Sequence, residues 1–183
     1  MKIRSSIKEQ PPKGIHTARV IGLCDLGHQP GFVWAGGEAE SAYKLEITYE
    51  LVTTKMKDGR PFIISEQVTN TDNERGTLSQ RLSSIGIDFA NIKDIIGSAA
   101  MVTVDHNAKG YAKVSQVSGV PQGMDIPEAF NPSTLFDIYD EAPDLDVFYS
   151  FSDFKQGKFR SALDFDETVL AKSLSVEEAK VPE

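Results

Sequence analysis

The chain has 183 residues, 40% of them apolar and 9% aromatic, with a formal net charge of -8. That length suits one ordinary domain plus a substantial extension, and no apolar run approaches the roughly 18 residues that would span a bilayer. Cys24 is the only cysteine, so no intramolecular disulfide can form and a thiolate zinc site is not expected.

The charge is unevenly divided. Residues 1–119 hold 14 Lys/Arg against 13 Asp/Glu, a net of +1, whereas residues 120–183 hold 5 against 14, a net of -9. An acidic total argues against a nucleic-acid partner, and this asymmetry weakens that objection. The opening MKIRSSIKEQPPKG has no apolar stretch behind its charges, so no signal peptide is expected and a reducing compartment is the natural setting.

After an arm over residues 1–13, GIHTARVIGLCDLG (14–27) gives the first strand signal. HQPGFVWAGGEAES follows as a Gly-rich loop carrying Phe32 and Trp34. YKLEITYEL then alternates strictly, with Tyr43, Leu45, Ile47, Tyr49 and Leu51 on one face and Lys44, Glu46, Thr48 and Glu50 on the other. Asp58-Gly59 marks a hairpin turn into a third strand, PFIISEQVT. Leu78, Leu82 and Ile85 fall at helical spacing, with a cap region at 73–77 and Gly86 as a stop. NIKDIIG adds a short helical turn. AAMVTVDHNAKGYAKVSQV reads as a second hairpin, turning through Asn107 and Gly110.

Three strands, a helix and two strands predict an all-β domain over 14–119. The expected form is a five-stranded Greek-key barrel of the OB type, with one short helix between strands three and four. Another small β-barrel or sandwich with a helical insertion is the competing architecture. Residues 120–183 are expected to form an acidic, partly disordered C-terminal extension, entered through a linker with three prolines between Pro121 and Pro132.

An OB barrel binds ligands across strands two and three, framed by the loops between strands one and two and strands four and five. Single-stranded nucleic acid there needs cations for phosphates and flat rings for bases. The candidates are Phe32 and Trp34 in the first loop, Lys44, Lys55, Lys57, Arg60 and Phe62 along strands two and three, and His106, Lys109, Tyr111 and Lys113 at the second loop. Each has a plainer reading. Trp34 can cover a barrel end, Phe62 can be core, and Lys55, Lys57 and Arg60 can simply solvate a turn. Core packing is expected for Tyr43 and Tyr49.

Enzyme motifs are weak. LDFDET (163–168) matches a DxDx[TV] phosphatase pattern but lacks the parallel strand and downstream motifs that chemistry requires. GxSxG and P-loop patterns are absent. DIYDEAPDLD lacks a calcium-loop glycine. No enzyme activity, cofactor or metal is expected.

The segments GIHTARVIGLCDLG, YKLEITYELV, DGRPFIISEQVT, DIIGSAAMVTVDHNAKGYAKVSQVS and NPSTLFDIYDEAPDLDVFYSFSDF, taken together, resemble the OB-fold single-stranded DNA-binding proteins of tailed bacteriophages. The resemblance covers most of residues 14–154. It implies sequence-independent coating and protection of single-stranded DNA during phage replication or recombination, in the cytoplasm of the infected bacterium. Two features depart from that pattern. SEQVTNT in strand three lacks an aromatic residue, and the C-terminal VEEAKVPE lacks a compact acidic tip ending in Phe. A protein-interaction or virion structural module on a β-barrel is the rival reading.

Between Met124 and Tyr149 lie seven carboxylates, five aromatic residues and no Lys or Arg. Such a segment can imitate DNA and shield the groove, recruit replication or recombination proteins, solvate the protein, or pack on the barrel. The residues singled out are Phe136, Asp137, Tyr139, Asp140, Glu141, Asp144, Asp146 and Phe148.

Overall fold

The computed structural model describes residues 9–31 and 40–179. It is mostly β. Strands β1 (Gly14–Gln29), β2 (Ala42–Lys55), β3 (Pro61–Thr69), β4 (Ala99–His106) and β5 (Ala112–Ser118) form one antiparallel sheet in the order β3-β2-β1-β4-β5. A short β6 (Thr134–Asp137) adds to β1 in parallel. The two ends of the path, β3 and β5, curl towards each other, and helix α1 (Thr77–Ser84) packs against both.

The long β1 makes this curvature possible. Its first part, 14–19, pairs with β4 and its second, 19–29, with β2. Register shifts at Val20/Gly22 and Asp25/Gly27 mark bulges, which bend a strand and re-aim its side chains. Ala18, Val20 and Leu23 therefore enter the main core with Leu45, Ile47, Tyr49 and Leu51, whereas Cys24 and Leu26 enter a second core. Gly27, at φ +75°, permits the second bulge. A Cβ there would lie 3.1 Å from both the Ala162 Cβ and the Tyr139 hydroxyl.

Helix α1 buries Leu78 and Leu82 as the spacing predicts, but its N-cap is Gly76 and no side chain caps it. A 3₁₀ segment at Phe89–Ile95 follows, so two helical pieces, not one, lie between β3 and β4. Tyr49 is wholly buried, whereas Tyr43 is 47% exposed and stacks on His28 at 4.7 Å. The alternation of β2 continues past the end of the core it serves.

Residues 134–179 are folded, contrary to the expected partial disorder. They carry β6 and helices α2 (Leu145–Ser150), α3 (Asp153–Arg160) and α4 (Val169–Glu178). Phe136, Ile138, Phe148, Phe159, Phe165, Leu170 and Leu174 bury against Cys24 and Leu26, an apolar content that supports a packed core despite the acidic total. Among the described residues no helix is long and apolar enough to cross a membrane.

Candidate nucleic-acid interface

The N-terminal arm brings two hairpin tips together. Glu9 accepts from the Lys57 amide at 3.3 Å, Gln10 from the Ala112 amide at 3.0 Å, and the Pro11 carbonyl from His106 Nε2 at 2.8 Å. Lys13 pairs with Asp105 at 3.0 Å. The β2–β3 and β4–β5 turns are thereby fastened beside one another at one end of the sheet. Gly59 and Gly110, at φ +85° and +83°, supply the tight turns.

Between these tips lies an open cleft of about 690 Å³, lined among others by Met56, Arg60, Phe62, Ile63 and Ala112. Its charged lining members are Glu9, Asp58 and Arg60, whereas Lys55, Lys57, Lys109, Tyr111 and Lys113 belong to the same two hairpin tips without lining the cleft. Lys55, Lys57, Lys109 and Lys113 are exposed, as is Tyr111 at 49%. Arg60 lines the cleft but is engaged by Asp58, with Nη2–Oδ2 at 2.6 Å.

Other predicted members do not join. Lys44 lies eleven residues from Lys55 along β2, roughly 35 Å at strand spacing, and donates to Thr69 Oγ1 at 2.8 Å. Phe62 is 5% exposed and belongs to the main core of the sheet, so its ring is not available for stacking. His106 ties down the arm. Phe32 and Trp34 lie outside the described residues.

The extension occupies part of the face expected to hold ligand. Glu50, on the polar face of β2, is buried and accepts from the Phe130 amide at 2.7 Å, the Asn131 amide at 2.8 Å and the Asn131 side chain at 2.7 Å. Burial raises its pKa, but these hydrogen bonds together with Lys55 hold it below the usual carboxylate range. Glu46 pairs with Lys155 at 2.7 Å. Arg19 grips the linker through the carbonyls of Ile126 and Pro127 and the carboxylate of Glu128. The sequence reading missed Glu50 and Arg19 as anchors. The only signal for either was a charged residue in a strand.

Within the extension, Phe136 and Phe148 are 4% and 0% exposed, so neither ring can imitate a base. Several carboxylates there serve the local backbone. Asp137 accepts from the Tyr139 amide, Asp140 from the Ala142 amide, and Asp144 caps α2 through the Val147 amide. Glu141 and Asp146 are exposed. The Tyr139 hydroxyl donates to Asp164 at 2.7 Å and accepts from the His28 amide.

Asp25, where the sheet meets the extension, is perturbed. Burial, then the nearby carboxylates of Asp137 and Asp164, push its pKa up to about 6, against hydrogen bonds from the Gly27 amide and Asn70. A raised carboxyl pKa means that the folded state binds the proton more tightly, so this group costs stability at neutral pH and less as pH falls from 6 towards 4. Asp25→Asn is expected to stabilise the protein by about 1–2 kcal/mol at pH 7, discounted for partial exposure. Urea unfolding at pH 7 and pH 4 checks this, with the gain vanishing at the lower pH.

Among the described residues no group of three or more His, Cys, Asp or Glu is disposed to hold a metal ion. Comparison with protein-family models, curated proteins and solved structures finds no match.

Proposed function

We propose that the protein is an OB-type barrel that binds single-stranded DNA without sequence preference, as a non-enzymatic coating protein of phage replication or recombination. The strand order, the near approach of β3 and β5, and the helix between β3 and β4 support the barrel assignment. The observation that carries the binding reading is that the arm fastens the two hairpin tips together, so that exposed Lys55, Lys57, Lys109, Tyr111 and Lys113 lie at one end of the sheet, near an open groove. Cations neutralise phosphates and the ring stacks a base, which is the chemistry that tolerates any sequence.

Beyond the cleft, the exposed side of β3 offers Ile63, Ser65, Gln67 and Thr69, so the strand continues over a neutral surface. The acidic extension lies on the β1–β2 side, and its carboxylates discourage phosphates from spreading there.

Charge reversal tests the assignment. A Lys55→Glu/Lys57→Glu/Lys113→Glu variant is expected to lower oligo-dT affinity by at least about tenfold and to flatten its salt dependence by about 0.7 for each phosphate no longer neutralised. Lys158→Glu/Lys172→Glu, on the extension, is expected to leave affinity within about twofold. Fluorescence anisotropy reads both. Equal loss in the two variants would assign binding to overall charge and overturn the cleft.

A further inference from the structure

At the opposite end of the sheet, where β1 runs towards β2, a second pocket of about 200 Å³ opens between Leu23, Leu45, Phe89, Ile92 and Leu135, with Asp25, Asn70, Lys93 and Asp137 among its polar members. Two large apolar side chains at this pocket remain in water, Phe89 at 39% and Leu135 at 46% exposure. Ligand clefts for cofactor-sized molecules start near about 300 Å³. This one has room for a single side chain.

Its electrostatics select the occupant. Asp25 and Asp137 line the same pocket, and the Asp137 carboxylate lies close enough to disfavour the charge of Asp25; the turn after Asp137 presents Asp140 and Glu141 to solvent. The two carboxylates outnumber the one cation among the described residues at the pocket, Lys93, so phosphates are disfavoured here, whereas a cation beside an apolar anchor would relieve the carboxylates. An apolar pocket with a charged rim is the usual anatomy of a peptide hot spot.

We propose that this pocket docks a basic, apolar peptide segment of a protein partner, one leucine-sized or aromatic side chain entering between Phe89 and Leu135 while a neighbouring Arg or Lys meets Asp25 and Asp137. The site goes beyond single-stranded DNA binding and is separate from the cleft, with most of the length of β2 between Leu45 and Met56. Protein and DNA can therefore be held together without competing.

The probe is a short fluorescein-labelled peptide of alternating Arg and Leu, with Glu replacing Arg in its control, titrated against the full chain. The Arg-Leu peptide is expected to bind near micromolar strength, to weaken at least about tenfold with Leu135→Ser and with Asp25→Asn/Asp137→Asn, and to change less than about twofold with Asp140→Asn/Glu141→Gln. Leu135 is a surface residue, and Asp137→Asn retains the oxygen that accepts from the Tyr139 amide. Thermal melts on each variant confirm folding. Absence of binding by folded wild type, indifference to both pocket variants, or equal loss with Asp140→Asn/Glu141→Gln would overturn the pocket. Oligo-dT anisotropy on the same samples reads the cleft separately, so failure of one site is distinguishable from failure of the other.

Discussion

A chain ending at Gly119 is expected to unfold or aggregate at temperatures where the full chain is intact. The extension covers Ile21, Cys24 and Leu26 of β1, which are 6%, 1% and 0% exposed. Re-exposing one such aliphatic side chain costs roughly 1.5–3 kcal/mol. Truncation also removes β6 from the edge of β1 between Gly22 and Asp25 and takes away the three donors that satisfy Glu50. Together these losses reach about 5 kcal/mol or more, comparable with the whole margin of a small domain. Circular-dichroism melting and size-exclusion chromatography of the two chains decide the matter. A monomeric truncated form melting within a few degrees of the full chain would show that residues 14–119 fold alone and that the second core is dispensable.

Breaking the ion pair at the β3–α1 contact is expected to have the next largest effect. Arg81 grips Glu66 through Nε at 2.9 Å and Nη2 at 3.0 Å, and the wholly buried Tyr49 donates its hydroxyl to the same carboxylate at 2.8 Å. Both charged side chains are about nine-tenths buried. Burial and then the Glu66 carboxylate push the Tyr49 phenol far above its ordinary pKa, so it remains a donor. Arg81→Ala leaves that carboxylate without its counter-charge, and loss of one partner of a buried pair costs about 3–5 kcal/mol. Urea unfolding is expected to show this loss, and the paired Arg81→Met/Glu66→Met change to recover much of it, because two apolar side chains carry no desolvation penalty. A single substitution costing under about 1 kcal/mol would mean that Glu66 is adequately solvated or protonated without Arg81.

Local chemistry made much of the sheet legible. The nine-residue alternation from Tyr43 to Leu51, Asp58-Gly59, and the Asn107–Gly110 turn each act over a few residues, and each lies where a strand or turn forms. Leu78 and Leu82 marked the buried side of α1 for the same reason. What the sequence hid is long-range. Nothing near Gly22–Asp25 announces that this edge will be met by residues 134–137, more than a hundred positions later. Nor does the alternation of β2 show that Glu50, on its polar face, ends up 1% exposed under the linker.

The extension was misread because composition sums charges without locating them. Asp137, Asp140 and Asp144 are turn and cap residues, and the rings of Phe136, Phe148 and Phe159 meet at centroid distances of 4.9–6.2 Å in a core. Read as an average, the same residues look like a solvated acidic tail. Within the candidate interface the cations of the hairpin tips were legible as turn residues. The proximity of the two tips depends on Glu9 to Lys13, whose hydrogen bonds no spacing rule reveals.

The most direct measurement is fluorescence anisotropy of labelled oligo-dT with the full chain across a salt series, beside a duplex of equal length. Single-strand binding that exceeds duplex binding, with log affinity falling against log salt at about -0.7 per phosphate neutralised, is the predicted result. Three or four lysines of the two hairpin tips would give a total slope of about -2 to -3. A folded protein that binds neither strand form at low salt would contradict the account and leave a protein-interaction module in its place.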